Sequence, residues 1–332
     1  MISIEEMGML AKEAGYAAGK MTSPEKNAVL LKAADALIKN MDKVLAANKA
    51  DVDAALANGI KGAFIDRLTL NEKRIEGMAD GLRQVAGLKD PVGEVESMWT
   101  LDNGLIVGRK RVAMGVIGII FEARPNVASD AFGLCLKAGS AVILRGGKEA
   151  LRSNMATIGI FRDTLKEMGL DENLVQIVED TSHETAEKMM RLNGFIDVLI
   201  PRGGAGLINN VVRNSTVPVI QTGIGNCHVY VDKSADFEKA LKIVINAKTQ
   251  RPGVCNACES LLVHKDIADE FIPLVSKALM EKNVEIRGDE KFVSMVDGIK
   301  NATEDDWATE YEDYIISARV VENIDEAMML IR

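Results

Sequence analysis

Cys255 stands where a thiol could do covalent chemistry. It lies in TQRPGVCNACES, residues 249–260, after a Pro252-Gly253 turn and before an apolar run over 260–264 that predicts a strand. Such a loop at a domain junction lets a thiolate meet a ligand held by another domain. A thiol of ordinary pKa, about 8.5, is only a few per cent ionised at pH 7, yet sulfur is nucleophilic enough for acyl transfer through a thioester. The competing reading is a buried structural cysteine, the commoner fate of an intracellular thiol. Cys258 makes a Cys-x-x-Cys with Cys255, which could instead serve redox exchange or half of a metal site. Cys227 and His228 could complete a Cys₃His zinc set, but they enter a predicted strand, where adjacent side chains point to opposite faces. A zinc deaminase would need His-x-Glu and a Pro directly before the first Cys, and the chain has neither.

Three further segments could bind or polarise a ligand. In FEARPNV, residues 121–127, Pro125 opens a helix and sets Asn126 in its first turn, where an amide can donate toward an oxyanion or simply serve the turn. In AVILRGGKEA, residues 141–150, a strand runs into Gly146-Gly147 flanked by Arg145 and Lys148, a layout suited to phosphate, although the Walker spacing fails. DVLIPRGGAGLI, residues 197–208, repeats it with Arg202, Gly203, Gly204 and Gly206, and the GxGxxG spacing fails as well. The three histidines, His183, His228 and His264, fall at a helix start, in a strand and at a strand end, so no Ser-His-Asp or Cys-His arrangement has a supported base.

The elements that must position these residues follow from periodicity. From Ser23, taken as a cap with Pro24 behind it, Leu31, Ala34, Leu37, Ile38, Met41, Val44 and Leu45 recur at helical steps. Helical pattern continues to about Gly87, with breaks at Asn58-Gly59 and near Leu70, and predicts a helical layer against a sheet. Residues 99–107 read as two short strands around Asp102, Asn103 and Gly104, the Asn-Gly pair suggesting a type I′ turn. Short apolar runs at 112–121, 141–144, 175–178, 197–200, 217–221 and 228–231 then alternate with helical stretches such as 126–137, 149–168 and 182–192. That alternation predicts a parallel α/β sheet, which binds ligands at the carboxyl ends of its strands. A helix over 236–248, the cysteine segment, the 260–264 strand and a helix over 267–282 open a second α/β unit, and a strand over 315–321 and a helix over 324–331 close the chain.

Composition agrees with two domains. The chain has 332 residues, 47% of them apolar, enough for two cores. A formal net charge of −9 argues against nucleic acid as the main partner. No apolar run approaches the roughly 20 residues of a membrane span, and the amino terminus has no signal-peptide pattern. Four cysteines are too few for a disulfide scaffold and fit a reducing cytoplasm.

Taken together, RVAMGVIGIIFEARPNV, LCLKAGSAVILRGGKEALRSN, PVIQTGIGNCHVYVD and NAKTQRPGVCNACESLLVH closely resemble the γ-glutamyl phosphate reductases, a proline-biosynthesis branch of the aldehyde dehydrogenase superfamily, from about Ser3 to the last residue. The resemblance implies an NADPH-binding, Rossmann-like parallel-sheet domain over 1–248 with a projecting oligomerisation hairpin at 99–115, and a second α/β catalytic domain from 249 to 332. It implies NADPH-dependent reduction of L-glutamyl 5-phosphate to L-glutamate 5-semialdehyde, with no metal. Carried over by motif, Cys255 is the nucleophile, and Asn126 with the Cys255 backbone N–H forms the oxyanion hole. Arg145, Gly146 and Lys148 lie where the superfamily reads the adenosine ribose, and their two cations favour the phosphorylated cofactor. Arg202, Gly203, Gly204 and Gly206 border the pyrophosphate, while Arg251 and Arg124 are candidates for the leaving phosphate. The segment that carries a water-activating glutamate in hydrolytic relatives reads Val219-Ile220-Gln221-Thr222-Gly223, without a carboxylate. Family members continue past the helix ending at Arg332, so the catalytic domain is expected to be incomplete here, and homo-oligomerisation is expected where the full carboxyl terminus is present. The alternatives are a nucleotide-binding regulatory protein with an inactive catalytic domain and a zinc-dependent hydrolase using Cys255 and Cys258.

Overall fold

Side-chain caps start the first helices. In the computed structural model, which describes residues 2–223 and 225–331, the Ser3 side chain accepts from Glu6 N–H and opens α1 (Ile4–Ala18). The expected helix end at Arg332 lies outside the described residues. A capping box between Thr22 and Glu25 opens α2 (Ser23–Lys39), so Thr22 and not Ser23 is the cap. Ser23 instead donates to Asp90, 2.8 Å away. The buried face of α2 is Val29, Leu30, Ala33, Ala34 and Leu37, and Leu31 turns outward. Next come α3 (Met41–Ala57), α4 (Ala63–Leu68) and α5 (Glu72–Gly87). Gly59, at φ +80°, ends the α3 region where Asn58-Gly59 predicts a break.

A hairpin follows, β1 (Val95–Thr100) antiparallel to β2 (Ile106–Lys110) with Trp99 opposite Val107. Its turn is not type I′. Gly104 has φ +82° but Asn103 does not share a positive φ, and Gly104 N–H bonds to Leu101 C=O at 2.8 Å. This is the three-residue loop in which a type I turn ends in a left-handed glycine.

The first parallel sheet runs β5-β4-β3-β6, built from β3 (Val116–Phe121), β4 (Ala141–Arg145), β5 (Val175–Ile177) and β6 (Val198–Arg202). Between these strands lie α6 (Asn126–Lys137), α7 (Leu151–Glu167) and α8 (His183–Met190), with α9 (Ala205–Asn214) after β6. The apolar run predicts a strand from Val112, but β3 begins only at Val116 because Gly115, at φ +105°, turns the chain out of extended geometry. The strand expected over 217–221 reduces to a single bridge between Val219 and Leu199, since Pro218 has no N–H to extend the ladder. One apolar core joins Leu30, Ala34, Leu37, Ile75 and Leu82 of the helical layer with Ile117, Ile119, Val142 and Leu144 of the sheet.

The second sheet runs β10-β9-β11-β8-β7, all parallel: β7 (Cys227–Val231), β8 (Cys258–His264), β9 (Glu285–Gly288), β10 (Lys300–Asn301) and β11 (Ile315–Val321). Its helices are α10 (Phe237–Thr249), α11 (Ala268–Met280), α12 (Glu290–Met295) and α13 (Ile324–Ile331). The chain divides into two compact units, one of residues up to Lys61 and from Ile65 to Thr222, the other of Gly62–Phe64 and everything from Gly223 on. That boundary precedes the one expected after Lys248. β7 hydrogen-bonds to β8, so β7 and the helix after it go with the second sheet. No helix among the described residues is long and apolar enough to cross a membrane.

Candidate active site

In the second unit the loop between α10 and β8 carries Cys255 into solvent, whereas Cys258, three residues on, is buried as the first residue of the strand. Burial pushes the Cys258 thiol up to about 11 and that of Cys135 up to about 12. Cys227 is half-buried, and its thiol donates to the Cys255 carbonyl at 3.3 Å. Gly225 packs against the same residue: a Cβ built on it would lie 2.5 Å from the Cys255 carbonyl oxygen, 2.9 Å from Glu310 Oε1 and 3.1 Å from Cys255 Cβ. The Gly225 N–H donates to Glu310 Oε2 at 3.1 Å. Below the loop, Lys248 Nζ and Glu259 Oε2 meet at 2.6 Å with both side chains wholly buried. Desolvation raises Glu259 against the pull of Lys248. Arg251 is exposed at the start of the loop. Among the described residues, no group of three or more His, Cys, Asp or Glu side chains gathers as a metal site.

In the first unit the other candidates collect at the carboxyl edge of the sheet, beyond β3, β4 and β6, where an open α/β sheet presents its crevice. Asn126 opens α6 as its spacing predicts, but its amide donates to Asp130 Oδ2, one helical turn on, at 3.1 Å. Arg124, half-buried, precedes it. Arg145 ends β4 and turns its guanidinium onto the carbonyls of Thr181 and Ser182, at 2.5 and 3.2 Å, leaving its buried Nε without a partner. Behind it both amide atoms of Asn154 are buried and unpartnered, and a Cβ on Gly146 would come within 2.6 Å of that amide. Lys148 is exposed in a short 3₁₀ turn over Lys148–Ala150. Beyond β6, Arg202 is exposed and Gly204 caps α9 without a side chain. There Glu122 Oε2 accepts from Gly204 N–H at 3.1 Å, a carboxylate seated on a helix N-terminus. A Cβ on Gly203 would meet that carboxyl at 2.7 Å, whereas Gly206 has open space around it.

Sequence reasoning finds the glycines and cations of this edge but misses Glu122, and in the second unit it misses Gly225, Glu310, Lys248 and Glu259. FEARPNV contains Glu122, but only the pairing of β3 with β6 brings its carboxylate to Gly204.

The sequence profile of the aldehyde dehydrogenase family matches residues 3–296. A γ-glutamyl phosphate reductase of Clostridium botulinum is 57% identical over 321 residues, 97% of this chain and 78% of that protein. The crystal structure of γ-glutamyl phosphate reductase from Thermotoga maritima superposes with a TM-score of 0.88 at 47% identity, covering 98% of this chain and 79% of that one. The Saccharomyces cerevisiae enzyme of the same name gives a TM-score of 0.62 at 27% identity, covering 99% and 83%. The chain belongs to the aldehyde dehydrogenase family, in its γ-glutamyl phosphate reductase branch. Membership of this family implies a nicotinamide cofactor. The first unit's edge fits such a group: Gly146 and Gly203 leave room that a Cβ would fill, the N-terminus of α9 already holds an anion, and buried Arg145 and Asn154 atoms lack partners.

Proposed function

We propose that this γ-glutamyl phosphate reductase-like chain reduces L-glutamyl 5-phosphate to L-glutamate 5-semialdehyde with release of phosphate, the second step of proline biosynthesis, using NADPH and a thioester on Cys255. The observation that carries the mechanism is the contrast among the thiols: Cys255 is exposed on a loop, while Cys135 and Cys258 are buried. The Cys255 thiolate attacks the acyl carbon, the carbonyl electrons move onto oxygen, and their return expels inorganic phosphate to leave the thioester. Asn126 and the Cys255 backbone N–H stabilise the oxyanion, which requires the Asn126 amide to leave Asp130. A nicotinamide held at the first unit's edge would supply the hydride that takes the thioester carbon to the aldehyde level, and the Cys255 thiolate then departs as the C–S bond breaks and the aldehyde C=O re-forms. The segment Val219–Gly223 itself carries no carboxylate to activate water, which suits a thioester that must escape hydrolysis. Arg251 and Arg124 are assigned to the leaving phosphate, Arg145 and Lys148 with Gly146 to the ribose phosphate of NADPH, and Arg202, Gly203, Gly204 and Gly206 to the pyrophosphate. Glu122 then yields its place on α9 to the anion. The hairpin, which exposes Met98, Trp99 and Ile106, is assigned to homo-oligomerisation, and the cytoplasm is the proposed location.

The test runs the reaction backwards. Glutamate semialdehyde should reduce NADP only when phosphate or arsenate is present, and Cys255→Ala should lower the rate by about 10³-fold or more. NADPH binding without turnover, with Cys255 intact, would replace this reading with a nucleotide-binding regulatory one.

A further inference from the structure

Lys248 is the penultimate residue of α10 and Glu259 the second residue of β8, so the pair closes both ends of the segment that carries Cys255. Neither side chain reaches water, and their atoms are 2.6 Å apart. The same carboxylate holds a third segment, because Glu259 Oε1 accepts the Glu312 N–H at 3.2 Å. Two residues before Glu312, Glu310 accepts the N–H of Gly225, the residue packed on the Cys255 carbonyl. A chain of polar contacts therefore runs from the buried pair to the strip of backbone against which Cys255 rests.

A buried ion pair is a poor source of net stability, since apolar residues of similar volume often do as well or better. What charges add is direction, because they are satisfied in one arrangement while apolar side chains pack in several. We infer that Lys248 and Glu259 are a positioning pair for Cys255, holding its loop, and through Glu312 the Glu310 segment, in the geometry the thiol needs. This rests on the reading of Cys255 as the nucleophile. Neither residue touches the reacting atoms in this account. Their effect is on orientation, where a misplacement of about 1 Å costs on the order of 10²-fold in rate.

The test compares the wild-type chain with Cys255→Ala, with Lys248→Met and with the double variant Lys248→Met/Glu259→Leu. The single Lys248→Met variant strands a buried carboxylate and is expected to fold poorly. The double variant removes both charges and is the informative one. It is expected to melt at or above the wild-type temperature, to lose about tenfold or more in kcat with KM values within about twofold, and to exchange the amides of residues 249–258 about tenfold faster. A double variant with wild-type kcat and wild-type exchange in that segment would overturn the inference and leave the pair as packing alone. Full activity in Cys255→Ala would remove the nucleophile reading itself. Loss in Cys255→Ala beside an unaffected double variant sinks only the positioning role.

Discussion

Water reaches the four cysteines unequally, and a thiol is chemically useful only where its anion can be solvated or paired. Cys255 is exposed, Cys227 half-buried, and Cys135 and Cys258 sit among apolar side chains that hold them near 12 and 11. Iodoacetamide at pH 8 should label Cys255 first and leave Cys135 and Cys258 unmodified in the folded protein, as read by peptide mass spectrometry. Early modification of Cys258 would contradict the packing described. The second residue-scale expectation concerns Gly225, where a methyl group would lie 2.5 Å from a backbone oxygen that cannot swing aside. Gly225→Ala should cost about 1–3 kcal/mol in urea unfolding and lower kcat more than tenfold, as the Cys255 backbone is pushed. At this scale the sequence is a good guide to reactive types and a poor one to their partners. Cys255 announces itself by residue type and loop context, but nothing near Asn126 in the chain says whether its amide faces Asp130 or a ligand.

Elements are held in register by buried charge as well as by apolar faces. Lys26 of α2 is wholly buried and reaches Asp90, beyond α5, at 3.0 Å, while Asp90 also accepts from Ser23 and from Val92 N–H. Burial alone would raise the Asp90 carboxyl, and these donors, Lys26 among them, more than offset it and hold the group below the usual carboxylate range. Lys26→Met should cost about 3–5 kcal/mol by chemical denaturation, because it leaves the carboxylate without its counter-ion. A loss under about 1 kcal/mol would mean that water reaches Asp90. Helix ends and strand runs were legible at this scale, since caps and periodicity act over a few residues. Thr22 instead of Ser23 as the α2 cap, and the late start of β3 after Gly115, were not, because each depends on a backbone angle that neighbouring types leave open.

Over the whole molecule, two parallel sheets each pack against an apolar core of their own. In the second unit Asp306 is almost buried, which by itself would raise its carboxyl, but Thr303 N–H, Arg287 and the Tyr311 hydroxyl hold it well below the ordinary range. A carboxylate depressed in the folded state stabilises above its unfolded pKa of about 3.9 and loses that contribution as pH falls through the folded value. The urea midpoint of this unit should therefore drop between about pH 4 and pH 2, and Asp306→Asn should be less stable at pH 7 and flatter over that range. An identical acid response in the variant would assign the loss to other carboxylates. By itself the sequence determined the alternation of strands and helices, the family, and which thiol and which glycine-rich turns are candidates for chemistry, since those reside in local pattern and in motifs read along the chain. Only the tertiary structure decided that β7 joins the second sheet, that Glu122 caps α9, and that Lys248 and Glu259 bracket the cysteine loop. Each of those contacts exists because strand pairing or helix packing brings together groups that no local periodicity relates, and for the wholly buried Lys248 and Glu259 an unpaired charge would be too costly to keep.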